Sequence, residues 1–437
     1  MDRRSFNRNL AGTAFAGLAA MLGTPVQAAE PARRPVGPLL PDPDGVLDLP
    51  EGWRYRIISR FGDAMDDGHV VGDKADGMGC FALGNGKVAL VRNHELSARD
   101  GARGPFANRA VERAFDHWEG GRALPGGTST LVYDLASQRV ELQYASLAGT
   151  IRNCAGGITP WGTWLSCEED MSRAGQRIGQ DHGWVFEVPA GVRGLADPVP
   201  LKGLGRFNHE AAAVDPRTGV VYLTEDREDG LLYRFVPSRP GDLRASGKLQ
   251  ALGLDAAGLA DTRNKHGVAI TRGQALKVRW IDLDGTDSAD DDLRQRGYGR
   301  GAALFARGEG IHYGQDELYF VCTSGGAAGL GQVFRYRPSA DTLDLYYEAS
   351  DPNAFNFGDN LTVAPNGDLI VCEDQYTEIV DNHLRGIRPD GTAYAFARCR
   401  RQTELAGACF SPDGSTLFVN LYSPAMTLAI TGPGWHG

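Results

Sequence analysis

The sequence lacks several of the patterns that identify common classes of protein. Its seven cysteines contain no CxxC pair, which excludes the usual zinc motifs, and their odd number leaves at least one thiol free or ligating something. No basic stripe is present and the formal net charge is −10, which argues against nucleic acid as a partner. After residues 10–22 no second long hydrophobic run follows, so we expect a soluble mature protein.

The common nucleophile and phosphate-binding motifs are missing as well. There is no Gly-x-Ser-x-Gly elbow and no Gly-rich loop of the kind that cradles phosphate. The acids of "DLDGTDSADDDL", near the end of a long polar stretch at residues 240–300, lack the spacing of an EF-hand. That stretch is therefore interpreted as a solvated insertion, and residues 100–126 as a second insertion that is helical or looped.

The N-terminus has the composition of a targeting segment. The stretch "DRRSFNRNL" contains the pair Arg3–Arg4 and precedes an apolar run rich in Ala and Gly, and "VQAA" then offers small residues for cleavage after Ala28. This pattern predicts a twin-arginine signal peptide at residues 1–28 and export to the periplasm or beyond by the twin-arginine machinery. A membrane anchor is the alternative interpretation, although the run is short and Gly-rich for a span.

A hairpin unit repeats along residues 29–437. Clear copies are "AGGITPWGTWLSCEED" (155–170), "AAAVDPRTGVVYLTED" (211–226), "NLTVAPNGDLIVCED" (360–374) and "GACFSPDGSTLFVNL" (407–421), with looser copies at 80–95 and 310–324. Each joins two apolar strands through a turn rich in Pro, Asp and Gly. Six such units predict an all-β fold, a single β-propeller domain of about six blades, with a β-sandwich as the competing architecture.

The repeats place polar side chains at equivalent positions. The start of a hairpin's first strand and the end of its second strand lie at the same end of an antiparallel pair, so each hairpin delivers two groups to one rim of the propeller. The groups are Cys154 with Glu168 and Glu169, Glu210 with Glu225 and Asp226, Glu309 with Thr323, Asn360 with Glu373 and Asp374, and Asn93 with His94 and Glu95.

A rim so rich in carboxylates would repel itself unless cations bind there. Carboxylate and amide oxygens suit Ca²⁺, whereas a thiolate such as that of Cys154 favours a transition metal such as iron. Taken singly, an acid that closes a strand is more often a solvated turn residue. The repetition at equivalent positions, rather than any one motif, favours a metal site.

At these residues the sequence resembles the PhoX family of exported alkaline phosphatases. The match is carried by "NCAGGITPWGTWLSCEED", and "RNHE", "FNHEAAAVDPRTGVVYLTED" and "RGEG" support it. The resemblance implies a propeller with an iron and calcium cluster at the channel mouth that hydrolyses small phosphate monoesters. It implies that Cys154, Glu210 and Glu309 bind iron, that Asn93, Glu95, Glu168 and Glu169 serve calcium or iron, and that Arg307 contacts phosphate. On this interpretation Cys154, Glu309 and Arg307 are the catalytic residues.

Two other functions remain open from the sequence. A calcium-dependent propeller lactonase would use the carboxylates, and a non-catalytic periplasmic binding or scaffold protein would keep the propeller with a structural calcium. Neither gives Cys154 a role among the acids, whereas a site that contains iron does.

Overall fold

The computed structural model describes residues 37–106, 111–175, 177–256 and 258–435. The predicted signal peptide, residues 1–28, lies outside these ranges. Within them the chain is built almost wholly of β-strands, and the only α-helix, α1, spans Leu293–Gly299. No helix in these ranges is both long and apolar enough to cross a membrane.

Six inner strands form a closed ring. Each strand contacts the next one in chain order, and the last contacts the first. They are β4 (Ala75–Gly84), β8 (Asn153–Ile158), β11 (His209–Val214), β16 (Gly308–Gly314), β20 (Gly358–Val363) and β24 (Leu405–Phe410). A ring of inner strands that closes on itself is the arrangement of a β-propeller, so the predicted fold class is confirmed.

Each inner strand begins an antiparallel sheet, called here a blade and numbered 1 to 6 in chain order. The second strands are β5 (Lys87–His94), β9 (Thr163–Glu168), β12 (Val221–Glu225), β17 (Glu317–Cys322), β21 (Leu369–Glu373) and β25 (Leu417–Leu421). The third strands are β6 (Gly126–Asp134), β10 (Val185–Pro189), β13 (Leu232–Pro237), β18 (Gln332–Arg337), β22 (His383–Ile387) and β26 (Met426–Thr431). Blades 1, 3, 4 and 5 add β7 (Arg139–Thr150), β14 (Gly247–Leu254), β19 (Thr342–Glu348) and β23 (Ala393–Cys399).

The N-terminal strands complete the last two blades. Strand β3 (Arg54–Arg60) pairs with β26 and becomes the outer strand of blade 6. Strands β2 (Leu47–Pro50) and β1 (Leu39–Leu40) extend blade 5 beyond β23. Because β3 precedes blade 1 and β26 is the last strand, their pairing fastens the two ends of the described chain together.

The hairpin turns follow from the repeated turn chemistry. In four of the inner hairpins the turn glycine adopts a left-handed backbone, with φ of 83° at Gly162, 72° at Gly219, 85° at Gly367 and 71° at Gly414. Glycine takes this conformation without the steric cost that a Cβ would add. The turn residues of the sequence therefore fix the positions at which β8, β11, β20 and β24 reverse.

The hydrophobic core lies between neighbouring blades. Six buried clusters each combine side chains from two adjacent blades, and burial of one such side chain stabilises the fold by about 1.5–3 kcal/mol. Representative pairs around the ring are Val91 with Trp164, Leu165 with Leu223, Tyr222 with Phe320, Val321 with Val371, Cys372 with Val419, and Phe418 with Leu90.

The two predicted insertions differ from each other. In the described part of residues 100–126 there is a short 3₁₀ helix at Gly101–Arg103 and otherwise turns and isolated bridges before β6 begins, in keeping with a looped insertion. The interpretation of residues 240–300 as one solvated loop is wrong. They contain β14, β15 (Leu276–Asp282) and α1, and β15 pairs with β14 and β19 so that it joins blades 3 and 4. The stretch is polar on average, so its composition did not indicate the two short strands β14 and β15.

Candidate active site

In five of the six blades, the second residue of the inner strand lines a common pocket. In every inner hairpin the ladder shifts register just after its first pairs, and such a bulge re-aims the side chains beside it. The five residues that line the pocket from this position are Asp76, Cys154, Glu210, Glu309 and Asp359. Blade 6 has Ala406 there and supplies Glu404, two residues earlier.

A second set of side chains comes from the residue directly after each second strand. Glu95, Glu169, Asp226, Asp374 and Tyr422 occupy this position and line the same pocket. Blade 4 has Thr323 there, which is buried but does not line the pocket. The predicted convergence of hairpin ends on one rim therefore holds for these positions.

Small residues that directly follow members of the first set let the inner strands approach closely. A Cβ added to Gly77 would lie 2.5 Å from the Cα of Ala155, and one added to Gly310 would lie 2.7 Å from the Cα of Asn360. Both separations are too short for any side chain, so glycine is required at these two positions. The close approach keeps the ring narrow and brings the acids of neighbouring blades together.

Cationic side chains enter the pocket from the residues two before the first set. Lys74, Arg152 and Arg307 hold this position in blades 1, 2 and 4, and their φ angles are 51°, 47° and 52°. A left-handed backbone costs a non-glycine residue about 1–2 kcal/mol, and such strain persists where the surrounding structure requires it. The same unusual conformation in three blades turns three basic side chains toward the acids.

The resulting pocket has a volume of about 380 Å³ and contains far more acid than base. Its lining has nine carboxylates, three cationic groups, one thiol, two tyrosines and one serine. The lining residues are Lys74, Asp76, Glu95, Ser97, Arg152, Cys154, Glu169, Glu210, Asp226, Arg307, Glu309, Asp359, Asp374, Tyr376, Glu404 and Tyr422.

Two groups in this lining have the proximity that metal coordination needs. One ligand atom from each of Glu95, Cys154 and Glu169 lies within 4.8 Å of the other two. The same separation holds among Glu210, Glu309 and Asp359. Each group thus offers a cation three ligand atoms, which come from blades 1 and 2 in the first group and from blades 3, 4 and 5 in the second.

Glu210 is the acid of the pocket whose surroundings point most directly to a bound cation. It is fully buried, and neither of its carboxylate oxygens has a hydrogen-bond partner among the described residues. Burial raises the pKa of Glu210 well above its ordinary value, and the nearby carboxylates of Glu309 and Asp359 raise it further. A buried carboxylate without partners is costly, and a bound cation removes that cost by ligating the oxygens and neutralising the neighbours. The residues present therefore fit a metal site.

The surroundings of Cys154 have the same character. Its Sγ donates a hydrogen bond to Oδ2 of Asp76 at 3.5 Å, while Oδ1 of Asp76 is buried and finds no partner in the described part of the chain. Burial raises the pKa of the Cys154 thiol well above its ordinary value, and Asp76 and Glu210 raise it further. Among so many carboxylates a thiolate forms only if a cation binds beside it.

Arg307 is held rigidly at the edge of the pocket. Its Nε and Nη2 donate to the two carboxylate oxygens of Asp226 at 2.7 and 3.0 Å, and Nη2 also donates to Oε1 of Glu309 at 2.9 Å. Burial lowers the pKa of Arg307, but the carboxylates of Glu309 and Asp226 raise it more, so the guanidinium stays charged. Within the described residues Nη1 donates to no acceptor, so it remains able to bind an anion.

The structure places Asn93, Glu168, Glu225 and Glu373 outside the pocket. The three glutamates are the last residues of their second strands, one residue before Glu169, Asp226 and Asp374. Side chains alternate along a strand, so neighbouring residues face different ways. Asn93, which is buried, donates to the carbonyl oxygens of Cys154 and Ala155 at 3.0 and 2.8 Å and thereby ties blade 1 to blade 2.

Glu168, Glu225 and Glu373 each accept hydrogen bonds from residues at or near the start of another strand of the same blade. Glu168 accepts hydrogen bonds from the backbone N–H groups of Ile151 and Gly183, and its Oε1 lies 2.7 Å from Nδ1 of His182. Glu225 accepts from the hydroxyl of Tyr233 at 2.7 Å.

Glu373 plays the same part in blade 5. It accepts from the backbone N–H of Asn356 and of His383, both at 2.9 Å, and from Nε of Arg385 at 2.7 Å. These contacts are structural and keep the turns at the pocket rim in place.

Sequence reasoning missed several residues that line the pocket. Asp76 and Asp359 hold the position of Cys154, Glu210 and Glu309, but the repeat copies were begun at Cys80 and Asn360. Both could have been found from the position they share. Each is the second residue of an inner strand and is followed by a small or polar residue and then by the bulge. Arg152 could have been found from its position two residues before Cys154, which Lys74 and Arg307 share in their blades, whereas Glu404 and Tyr376 carry no repeat signal that marks them.

The geometry therefore defines a propeller with a strongly acidic pocket at one end of its inner strands, and the residues of this pocket fit bound cations. A family model described as alkaline phosphatase PhoX matches residues 35–141 and 133–425 of the chain. The chain belongs to the PhoX alkaline phosphatase family. It is a phosphatase of the phosphoric monoester hydrolase class, and the family is metal-dependent.

Solved structures of other propellers are similar to this chain. The structure of Pseudomonas fluorescens PhoX in complex with vanadate, a transition state analogue, matches with a TM-score of 0.66 and 19% identity over 89% of this chain and 96% of that one. A gluconolactonase from Xanthomonas campestris matches with a TM-score of 0.41 and 14% identity over 92% and 99% of the two chains. No protein of curated function matches the sequence.

Proposed function

We propose that this phosphatase hydrolyses phosphate monoesters at a mixed cluster of iron and calcium at the channel mouth, and that it works after export from the cytoplasm. The observation that carries the proposal is the buried carboxylate of Glu210, which has no hydrogen-bond partner among the described residues and lies in the same pocket as the thiol of Cys154. Oxygen ligands alone would suit calcium, whereas a thiol among them favours iron.

The ligands divide between the two sets of pocket residues. Cys154, Glu210 and Glu309 would hold iron, and the outer acids Glu95, Glu169, Asp226 and Asp374 would serve calcium. Asp76 and Asp359, the remaining members of the first set, would complete the supply of oxygen ligands. Bound together, the metals would neutralise charge on the phosphoryl oxygens and make water a stronger nucleophile at moderate pH.

Arg307 would orient the phosphoryl group. Asp226 and Glu309 occupy Nε and Nη2 of the guanidinium and prevent it from turning, so Nη1 faces an incoming phosphate oxygen at a fixed position. A preformed charged donor stabilises developing negative charge without reorganising during the reaction. The nine carboxylates would repel a phosphate dianion unless cations were bound first, so substrate binding depends on a loaded site.

The lactonase and scaffold alternatives predict calcium alone. Neither explains a buried thiol whose Sγ lies within 4.8 Å of the carboxylate oxygens of Glu95 and Glu169. The proposal of export rests on the twin-arginine pattern of residues 1–28, which also suits a protein that acquires its metals before it leaves the cytoplasm.

Elemental analysis of protein purified without added metal tests the proposal. We expect iron and calcium to co-purify with the chain, and we expect turnover of a simple phosphate monoester to require both. Calcium without iron, at full phosphatase activity, would contradict the mixed cluster.

A further inference from the structure

Tyr376 is the exposed aromatic residue of the pocket rim. Its side chain lines the pocket although 63% of the residue's surface is exposed. Within the described lining, the other aromatic residue is Tyr422, whose hydroxyl donates to Glu95. The rest of the lining is charged or polar, so Tyr376 contributes the exposed aromatic surface of the site.

The position of Tyr376 relative to Arg307 is fixed by two contacts. Nη2 of Arg307 donates to the tyrosine hydroxyl at 3.2 Å, and the guanidinium carbon lies 5.2 Å from the centre of the ring. The edge of a second ring, that of Phe357, supports Tyr376 with 5.7 Å between ring centres. Tyr376 therefore lies beside the guanidinium that we assign to phosphate binding.

The loop that carries Tyr376 is anchored on both sides of it. Residues 374–382 connect β21 with β22, and within this loop the backbone N–H of Gln375 donates to Oδ1 of Asn382 at 3.0 Å. Nε2 of Gln375 donates to the carbonyl oxygen of Asp381, also at 3.0 Å, and Nδ2 of Asn382 donates to the carbonyl oxygen of Thr403 at 3.2 Å. Gln375 and Asn382 are both buried. These hydrogen bonds hold the loop in place, so the ring of Tyr376 has a defined position at the pocket rim.

We propose that Tyr376 forms a subsite for the organic group of the phosphate monoester and that it favours esters of planar, aromatic alcohols. The inference rests on the proposed function, because it takes the phosphoryl group to lie on the cations and Arg307. The ester oxygen must then point away from the acids, toward the solvent, and its substituent passes the ring of Tyr376. An aromatic substituent can stack on that ring, whereas a small hydrophilic one gains little.

Kinetics with two esters test the subsite in the metal-loaded protein. For wild type, Tyr376→Phe and Tyr376→Ala, kcat/KM is measured with phenyl phosphate and with glycerol 3-phosphate, and the inhibition constant is measured for inorganic phosphate. The ratio of the two kcat/KM values within one enzyme cancels any change in metal content. Tyr298→Ala is the matched control, since Tyr298 is an exposed tyrosine, 46% accessible, on α1 and outside the pocket lining.

We expect Tyr376→Ala to lower the ratio of phenyl phosphate to glycerol 3-phosphate about three- to tenfold, mainly through KM. Tyr376→Phe keeps the ring and should keep the ratio, as should Tyr298→Ala. Inhibition by inorganic phosphate, which has no organic group, should stay within about twofold of wild type in all variants.

An unchanged ratio in Tyr376→Ala would overturn the subsite while leaving the phosphatase intact. If that unchanged ratio came with an equal loss for both esters and for phosphate inhibition, Tyr376 would act only by positioning Arg307. A wild-type protein that hydrolyses neither ester would instead contradict the proposed function, and the subsite with it.

Discussion

Glu168 and Glu169 are adjacent in the chain, yet only Glu169 lines the acidic pocket. The carboxylate of Glu168 is bonded to His182 and to backbone N–H groups inside blade 2, whereas Glu169 accepts from Nδ2 of Asn208 at 2.8 Å and pairs with Arg152. Strand alternation gives the two neighbours different tasks, one in the fold and one in the site.

This contrast predicts opposite effects of two matched substitutions. Burial raises the pKa of Glu169 to about 8, so a neutral side chain costs less here than at Glu168, although Gln keeps only one of the two oxygens that accept from Asn208 and Arg152. Glu169→Gln removes the charge of a proposed ligand, so it should lower metal content and kcat/KM at least about tenfold, with a smaller loss of unfolding free energy than Glu168→Gln. Glu168→Gln should lower the unfolding free energy by about 1–3 kcal/mol while the folded fraction keeps its metals. Elemental analysis and urea unfolding separate the two outcomes, and identical behaviour of the two variants would contradict the assignment.

Replacement of Cys154 by Ser should remove iron. A hydroxyl stays protonated where a thiolate would bind, so iron content and phosphatase activity should fall together, by about tenfold to a hundredfold, while the circular dichroism of the propeller is retained. The control is Cys167→Ser in the same hairpin, since Cys167 is buried among apolar side chains. Full iron content in Cys154→Ser would show that the thiol is only a packing group.

Arg307→Lys should separate phosphate binding from metal binding. Lysine keeps the charge but loses the fork that Asp226 and Glu309 hold in place, so we expect kcat/KM to fall about 100-fold with iron and calcium retained. Inhibition by inorganic phosphate should weaken as well. Arg294→Lys is the control, because Arg294 pairs with Asp229 and Asp291 away from the pocket lining. Equal loss in both variants would point to a general structural effect.

His182 should make stability depend on pH. Burial lowers its pKa, but the carboxylates of Glu168 and Asp116 raise it more, to about 10 against an ordinary 6.5. Folding therefore favours the charged imidazolium, whose stabilisation is complete below pH 6.5 and is lost as the pH rises toward 10. His182→Gln should cost on the order of 3 kcal/mol at pH 6 and clearly less near pH 10. Urea unfolding at several pH values measures the difference, and the exposed His266→Gln should show none.

Export should depend on the arginine pair. Changing Arg3 and Arg4 to Lys should leave the precursor in the cytoplasm, because the twin-arginine machinery recognises the pair. Fractionation of the producing cells, followed by immunoblotting, checks this result. Mature protein in the periplasm of the double variant would show that another route exports the chain.

The sequence was sufficient to predict the propeller because its local signals agree with one another. Turn glycines such as Gly162 and Gly367 mark the hairpins, and the apolar runs on either side of them supply the packing between blades. Strand β3 could not be assigned to blade 6 in the same way. Nothing in residues 54–60 specifies a partner more than 360 positions away, since that pairing depends on closure of the whole ring.

The pocket was predictable only in part, for reasons of register. Glu95, Cys154, Glu210 and Glu309 were found because the repeat carried them to one rim. Counting from the turn glycine, however, led to Glu168, Glu225 and Glu373. The sequence analysis kept them together with their neighbours Glu169, Asp226 and Asp374, and only the neighbours line the pocket. A shift of one residue along a strand exchanges its two faces, and sequence spacing alone does not say which face a bulge turns toward the channel.

The pairing of β3 with β26 also has a consequence for the synthesis and folding of the chain. The pocket draws its side chains from Lys74 to Tyr422, and the ring that holds them closes only when the last strand has joined the first ones. A chain still emerging from the ribosome therefore contains most of the acids, but the pocket that brings them together has not yet formed. Cations that bind as proposed above would therefore bind only to a chain that has been fully made and folded.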